Sequence, residues 1–222
     1  MKILTAILTC SKTQRRADAC LLTWIKSIKN PHDYVFFGDK TQSEKMDKTW
    51  DCTPDQGECR SRLPEKTYKM LEKSLEHEWD FLFKCDDDTY VNFPNLVEFL
   101  KAYNASDDLY IGSQLINQLP YAQGGAGYIL TRTAVGKCIL SLKDICRDKS
   151  KNKNAEDYSV GLALRDHKID LINTGLLSTP CPNIARKDQS VCIDAVIKNK
   201  KITTHYVEAK TMCKIYQKQN NI

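Results

Sequence analysis

An apolar strand that runs straight into three adjacent carboxylates constrains this chain more than any other feature: Phe81-Leu82-Phe83-Lys84-Cys85-Asp86-Asp87-Asp88-Thr89-Tyr90-Val91-Asn92. A hydrophobic core has no use for such charge density. Carboxylates that end a buried strand repel one another unless a cation or hydrogen-bond donors compensate. Side chains alternate along an extended chain, so Asp86 and Asp88 are expected on one side and Asp87 on the other. The pair then offers hard oxygen ligands to a divalent cation beside a pocket. Mn²⁺ or Mg²⁺ held in this way keeps positions open for substrate phosphates. The triplet alone equally suits an acidic turn or helix N-cap ahead of Pro94-Asn95-Leu96-Val97-Glu98-Phe99-Leu100; the buried lead-in is what favours ligand chemistry.

With 222 residues and 41% hydrophobic content, the chain has material for one sizeable core and is short for two, so one domain over residues 1–222 is expected. The net charge of +5 comes from lysines spread along the chain, a pattern that does not indicate a nucleic-acid partner. Met1-Lys2-Ile3-Leu4-Thr5-Ala6-Ile7-Leu8-Thr9-Cys10 has a brief apolar run broken by threonines, with no small-residue cleavage site after it, and reads as a first buried strand rather than a signal peptide. No stretch approaches the roughly 20 apolar residues of a membrane span.

The ten cysteines form no paired CxxC elements, so a structural zinc site is not expected. Cys52 with Cys59, and Cys181 with Cys192, are the loop pairs to test for disulfides, whereas Cys10, Cys20 and Cys85 sit in apolar segments and read as buried thiols.

Strands and helices alternate. Ile3 to Leu8 is a strand, and Arg15 to Ile28 an amphipathic helix with Cys20, Leu21, Trp24, Ile25 and Ile28 at helical spacing. Tyr34 to Phe37 is a second strand, and a polar loop follows from Gly38 to Leu63. Pro64 opens a helix through Met70, Leu71 and Leu75. Trp79 to Phe83 is a strand feeding the acids, Asn95 to Tyr103 a helix, and Leu109 to Gly112 another strand. This order predicts an α/β fold around a mostly parallel sheet flanked by helices, with ligands at the carboxyl ends of the strands, where Asp86 to Asp88 lie.

Three further segments stand out. Gly124-Gly125-Ala126-Gly127-Tyr128 permits close backbone approach, either as a tight core turn or as a ligand contact, and matches neither phosphate-loop spacing. Glu156-Asp157 opens an apolar helix, where acids also serve as ordinary partners of the helix dipole. His205 sits in the β-rich Ile202-Thr203-Thr204-His205-Tyr206-Val207, where a lone histidine can be structural or a ligand. The lysine-rich run from Arg147 to Asn154 reads as a solvated loop, or as a lid closing over a bound donor.

In this order the segments resemble the Fringe-like β1,3-glycosyltransferases, the inverting family that includes the core-1 galactosyltransferase and the β1,3-N-acetylglucosaminyltransferases. The resemblance covers nearly the whole chain. It rests on the opening strand with Arg16 and Leu21-Leu22-Thr23-Trp24-Ile25, on Glu65-Lys66-Thr67, on Asp86 to Asn92, on Gly124 to Tyr128, on Glu156-Asp157 with Gly161, and on His205.

The resemblance implies a single GT-A type domain, a UDP-sugar donor, Mn²⁺ with Mg²⁺ as the substitute, and inverting transfer to a hydroxyl of a glycan or glycoprotein acceptor. Asp88 and His205 would ligate the metal, while Asp86 and Asp87 would hold its waters, the ribose or the donor sugar. Thr9, Arg16 and Lys66 would contact the donor, and Gly124 and Gly125 would wall the sugar and acceptor pocket. Asp157 would take the acceptor's proton, with Glu156 in that role if the register is off by one. Animal members carry a membrane anchor and work in the Golgi lumen. A chain starting with Met1-Lys2 ahead of the strand reads instead as a soluble cytosolic enzyme of microbial or viral type, with the Golgi lumen as its place if it is a trimmed catalytic domain. Two other classes compete: an inactive nucleotide-sugar or glycan-binding module of the same fold, against which the Glu156-Asp157 pair argues, and a phosphoryl-transfer enzyme, against which the missing Walker loop argues.

Overall fold

The computed structural model describes residues 1–221 apart from 44–45, 56, 58–59, 116–119, 149 and 151–153. Its elements in chain order are β1 (Ile3–Leu8), α1 (Gln14–Leu22), β2 (Asp33–Gly38), the short α2 (Lys40–Ser43), β3 (Thr49–Asp51), α3 (Leu63–Ser74), β4 (Phe81–Asp86), β5 (Tyr90–Val91), α4 (Phe93–Leu100), β6 (Tyr110–Gly112), β7 (Tyr128–Thr131) and α5 (Arg132–Arg147). They continue with α6 (Glu156–Asp166), β8 (Leu171–Asn173), β9 (Leu177–Ser178), α7 (Pro182–Ala185), α8 (Ser190–Ile197), β10 (Thr203–Thr204) and α9 (Ala209–Asn220).

Seven strands form one sheet in the order β3-β2-β1-β4-β7-β6-β8. All neighbours run parallel except those of β7, which is antiparallel to both β4 and β6. The strands are apolar almost throughout because helices cover both faces, as a largely parallel sheet requires. Ile3 and Ile7 of β1, with Phe81 and Phe83 of β4, pack toward α1, α4, α8 and α9 through Cys20, Leu96, Val196 and Met212. Leu4, Ala6 and Leu82 face the other way, onto α3, α5 and α6 through Met70, Leu71, Val135, Leu142 and Val160.

Register then places the site. Leu8 is level with both Phe37 and Asp86, so β1, β2 and β4 end along one edge and their following residues share one crevice. A second sheet, β5-β10-β9, stands beside that edge, with β10 antiparallel to β5 and parallel to β9.

Several expectations need correcting. The helix expected over 15–28 stops at Leu22, because Thr23 takes a non-helical backbone (φ −124°, ψ −109°) and a 3₁₀ turn over Trp24–Ser27 follows. The core positions survive this break, since Trp24 and Ile25 remain buried. The polar stretch after Gly38 contains α2 and the edge strand β3, a strand too short for any alternation to show in sequence. Cys20 and Cys85 are buried thiols, as expected, whereas Cys10 is only half-buried. Cys181 and Cys192 are both free, the first exposed and the second buried with its thiol 3.7 Å from the His205 carbonyl, so this candidate pair is not bridged. Cys52 is a buried thiol, and Cys59 lies outside the described residues. Within the Arg147–Asn154 run, residues 149 and 151–153 also lie outside them. No described helix is long and apolar enough to cross a membrane.

Candidate active site

The acidic triplet leaves β4 as a turn. The strand ends at Asp86, and the Thr89 amide closes back onto the Asp86 carbonyl at 3.1 Å. The three side chains are therefore parted by a turn, not by the alternation of an extended strand. The outcome is nevertheless the expected division, with Asp86 and Asp88 on one side and Asp87 on the other.

Asp87 points into the crevice between β4 and the end of β1. Its Oδ2 accepts from the Thr9 hydroxyl at 2.8 Å and the Thr13 hydroxyl at 2.5 Å. Burial pushes this carboxyl up to about 7, opposed by the Thr13 and Thr9 hydrogen bonds. Asp88 is divided between two partners, with Oδ1 3.0 Å from His205 Nε2 and Oδ2 3.3 Å from the Arg16 guanidinium. Burial raises the Asp88 carboxyl too, but His205 and Arg16 outweigh it and hold it below the usual carboxylate range.

The second sheet brings His205 to the triplet. The Asn92 amide bonds the Ile202 carbonyl at 2.7 Å, the Val207 amide bonds the Asp88 carbonyl at 2.8 Å, and the His205 amide bonds the Ser178 carbonyl at 3.0 Å. The imidazole stacks on Tyr206 at 3.8 Å between centroids. One ligand atom from each of Asp86, Asp88 and His205 lies within 4.8 Å of the others. Two carboxylates and an imidazole at that spacing fit a divalent ion of hard to borderline character, and Mn²⁺ and Mg²⁺ belong to that range.

The glycine segment packs against His205 and Glu156, and all three of its glycines have room only for hydrogen, a Cβ on Gly127 standing 2.5 Å from the Phe83 ring. A Cβ on Gly125 would stand 1.9 Å from the His205 ring, and one on Gly124 would stand 2.1 Å from Glu156 Oε1. The Gly125 carbonyl accepts from the Thr89 hydroxyl at 2.6 Å. The Gly124 amide donates to Asp157 Oδ2 at 3.1 Å, and the Tyr158 amide to Asp157 Oδ1 at 2.8 Å. The half-buried Asp157 carboxylate is thus fixed at the start of α6, next to the turn that abuts His205. Glu156, by contrast, turns inward: its Oε1 lies 2.5 Å from the Lys84 ammonium and its Oε2 accepts the Tyr128 hydroxyl at 3.2 Å. Burial pushes the Glu156 carboxyl up to about 7, opposed by the Lys84 ammonium beside it.

A cleft of about 820 Å³ opens along the ends of β1, β2 and β4. Thr9, Arg16, Lys66 and all three aspartates line it, so most of the residues singled out in sequence share one cavity. Lys66 reaches it from the first turn of α3 and is itself almost fully buried.

Four contributors had escaped notice. Asp39, just past β2, lines the cleft and accepts from the Ser11 amide at 3.4 Å. Thr13 holds Asp87. Gln123 sits 3.5 Å from His205 Nδ1 while its carbonyl oxygen accepts from the Ala126 amide and the Thr179 hydroxyl. Lys84, wholly buried, bridges Asp86 at 2.8 Å and Glu156 at 2.5 Å. Lys84 did leave a signal, being the one charge inside the apolar run Phe81 to Cys85. Asp39 left a weaker one, an acid two residues after the strand expected over Tyr34 to Phe37.

Comparisons with known proteins bear on family and fold. The chain is 32% identical over 111 residues to a Xenopus laevis glycoprotein-N-acetylgalactosamine 3-beta-galactosyltransferase 1, covering 47% of this chain and 30% of the relative. It is 28% identical over 151 residues to the Xenopus laevis beta-1,3-N-acetylglucosaminyltransferase lunatic fringe (59% and 40%), and 26% identical over 199 residues to a Mus musculus beta-1,3-glucosyltransferase (84% and 38%). The matches thus span between 30% and 40% of these relatives' length. Among solved structures, the apo-form glycosyltransferase GlyE of Streptococcus pneumoniae superposes with a TM-score of 0.62 at 9% identity, over 97% of this chain and 60% of that one. The galactosyltransferase LgtC, in complex with donor and acceptor sugar analogs, gives 0.55 at 10% identity over 98% and 96%. Likeness at such low identity speaks for fold alone, and the fold is GT-A. The model of the family described as Fringe-like matches residues 1–185, which takes in the acidic triplet, the glycine turn and the Glu156-Asp157 helix, and the chain belongs to that family.

Proposed function

We propose that this chain transfers a sugar from a UDP-sugar to a glycan hydroxyl with inversion at the anomeric carbon, with Mn²⁺ as cofactor and Mg²⁺ as its substitute. The observation that carries this reading is the meeting of His205 with Asp86 and Asp88, two residues that line the cleft, with Asp157 held across the glycine turn. Asp88 and His205, with Asp86 beside them, would hold the ion, which when bound supplies charge neutralisation for a departing diphosphate.

The chain's own residues do the rest. Thr9, Arg16, Lys66 and Asp87 line the cleft where the nucleotide binds, and Asp39 offers a carboxylate to its ribose or base. Asp157 accepts the proton of the acceptor hydroxyl as the new oxygen–carbon bond forms and the bond to the diphosphate breaks. No covalent intermediate is involved, so no nucleophilic side chain is needed. Glu156 is turned away onto Lys84, which supports Asp157 over its neighbour as the base. The family relation supports the same class of reaction, since the named relatives are β1,3-glycosyltransferases.

Incubation with Mn²⁺, a glycan acceptor and a panel of UDP-sugars, followed by assay of released UDP and by NMR of the product's anomeric configuration, tests the proposal. One donor should release UDP and give a β-linked product from an α-linked donor. Tight Mn²⁺-dependent UDP binding with no turnover of any donor would point to a binding module instead.

A further inference from the structure

Lys84 is the only one of the described lysines and arginines whose side chain is wholly buried at the centre of this site, and it joins three segments at once. Its Nζ lies 2.8 Å from Asp86 Oδ1, 2.5 Å from Glu156 Oε1 and 3.3 Å from the Gly124 carbonyl. The Tyr128 ring stands 5.7 Å from it, and the Tyr128 hydroxyl bonds the far oxygen of Glu156. Two carboxylates hold this ammonium in its charged form against the cost of burial.

Asp86 is consequently split. Its Oδ1 is tied to Lys84, and its Oδ2 is the oxygen turned toward His205, at 3.9 Å. A carboxylate at a turn next to β4 would otherwise rotate freely, because Asp86 is 29% exposed at the cleft. The same ammonium grips the N-terminus of α6 through Glu156 and the glycine turn through Gly124, so the position of Asp86 is referred to the elements that carry Asp157.

We propose that Lys84 is a positioning residue for the ion site, fixing one oxygen of Asp86 so that the other is presented to the metal beside Asp88 and His205. This rests on the function proposed above. Partners that orient a metal ligand in this way typically matter 10- to 100-fold in affinity or activity.

The test is Mn²⁺-dependent UDP affinity, measured by calorimetry independently of turnover. Lys84→Met alone strands Glu156 without its counter-ion, so the informative variant is Lys84→Met with Glu156→Gln, which removes both buried charges together. This double variant should melt near the wild type yet bind Mn²⁺–UDP 10- to 100-fold more weakly. Adding Lys84→Met to a chain that already carries Asp86→Ala and Glu156→Gln should cost no further affinity, since there is then no carboxylate to orient. A folded double variant with wild-type Mn²⁺–UDP affinity overturns the proposal. If the double variant does not fold, the wild-type protein labelled with ¹⁵N-lysine decides: the Lys84 ammonium resonance should move when Mg²⁺ and UDP are added together, and an unmoved resonance overturns the proposal. Wild-type protein that binds Mn²⁺–UDP but turns over no donor sinks the proposed activity and leaves the role of Lys84 standing on the affinities.

Discussion

Adding one methyl group to Gly125 should disable the site without dismantling the fold. An ideal Cβ there stands 1.9 Å from His205 Cε1 and 2.4 Å from both ring nitrogens. To regain an ordinary 3.4 Å contact, ring or turn must retreat by about 1.5 Å. The ring has little freedom to do so, with Tyr206 stacked on it and its backbone tied to Ser178. Metal–ligand distances tolerate only about 0.2 Å, so a shift of this size removes His205 from the ligand set. Gly125→Ala should therefore weaken Mn²⁺-dependent UDP binding at least 10-fold and lower kcat by about 10²-fold, the usual effect of a displacement near 1 Å at a reacting centre. Its stability should fall by about 1–3 kcal/mol from overpacking, or several degrees in Tm at this chain length. The control is Gly136→Ala on α5, where a Cβ meets nothing within 4 Å. That change should raise stability by about 0.5–1 kcal/mol through helix propensity and leave binding untouched. Calorimetric titration with UDP and Mn²⁺, paired with thermal denaturation, reads both quantities. Wild-type affinity and Tm in Gly125→Ala would mean that His205 does not stand against the glycine turn.

Asp157→Asn keeps size and removes the proton acceptor, so kcat should drop by about 10²- to 10⁴-fold while UDP affinity barely changes; a fully active variant refutes the assignment of the base. Asp87 titrates with the sign of a raised acid. Its folded form binds a proton more tightly than the unfolded chain does, so its contribution to metal-free stability is greatest at low pH and declines as pH rises from about 4 toward 7, at up to about 1.4 kcal/mol per pH unit. Urea denaturation in chelator at pH 5 and 7.5 should show Asp87→Asn losing less stability over that interval than the wild type, and equal losses would refute the titration. Chelation should abolish UDP binding and Mn²⁺ should restore it, with calorimetry before and after as the check. Among the described cysteines, Cys181 should react first with a thiol reagent in native protein, and Cys20, Cys85 and Cys138 only after denaturation; early labelling of Cys85 would contradict the core packing.

Much of the fold is written locally. Strands β1, β2 and β4 are legible because a sheet covered on both faces demands nearly continuous apolar runs, and Ile3 to Leu8 and Phe81 to Cys85 supply them, each with one polar interruption. Pro64 in the first turn of α3 and Asn92, whose side chain accepts from the Asn95 amide at 3.3 Å ahead of α4, mark helix starts in the residues themselves. The acidic triplet announces ion chemistry by being too charged for its surroundings. Where the local signal is weak it misleads: β3 is three residues of an edge strand, and the break at Thr23 lies in a backbone angle that no periodicity encodes.

What the tertiary structure decided is which of these residues meet. His205 follows Asp88 by more than a hundred positions, and nothing in the Thr203-Thr204 segment marks its partner. The meeting depends on β10 pairing with β5 and β9, a pattern of backbone hydrogen bonds between distant segments that leaves no mark on side-chain spacing. For the two adjacent acids at a helix start, the family resemblance favoured Asp157 as the base with Glu156 as the alternative, but their surroundings could not be told apart in sequence. Those surroundings became distinct only when folding brought the buried Lys84 ammonium to Glu156 and the Gly124 amide to Asp157, because a charge excluded from water must be answered by whatever opposite charge the fold places beside it.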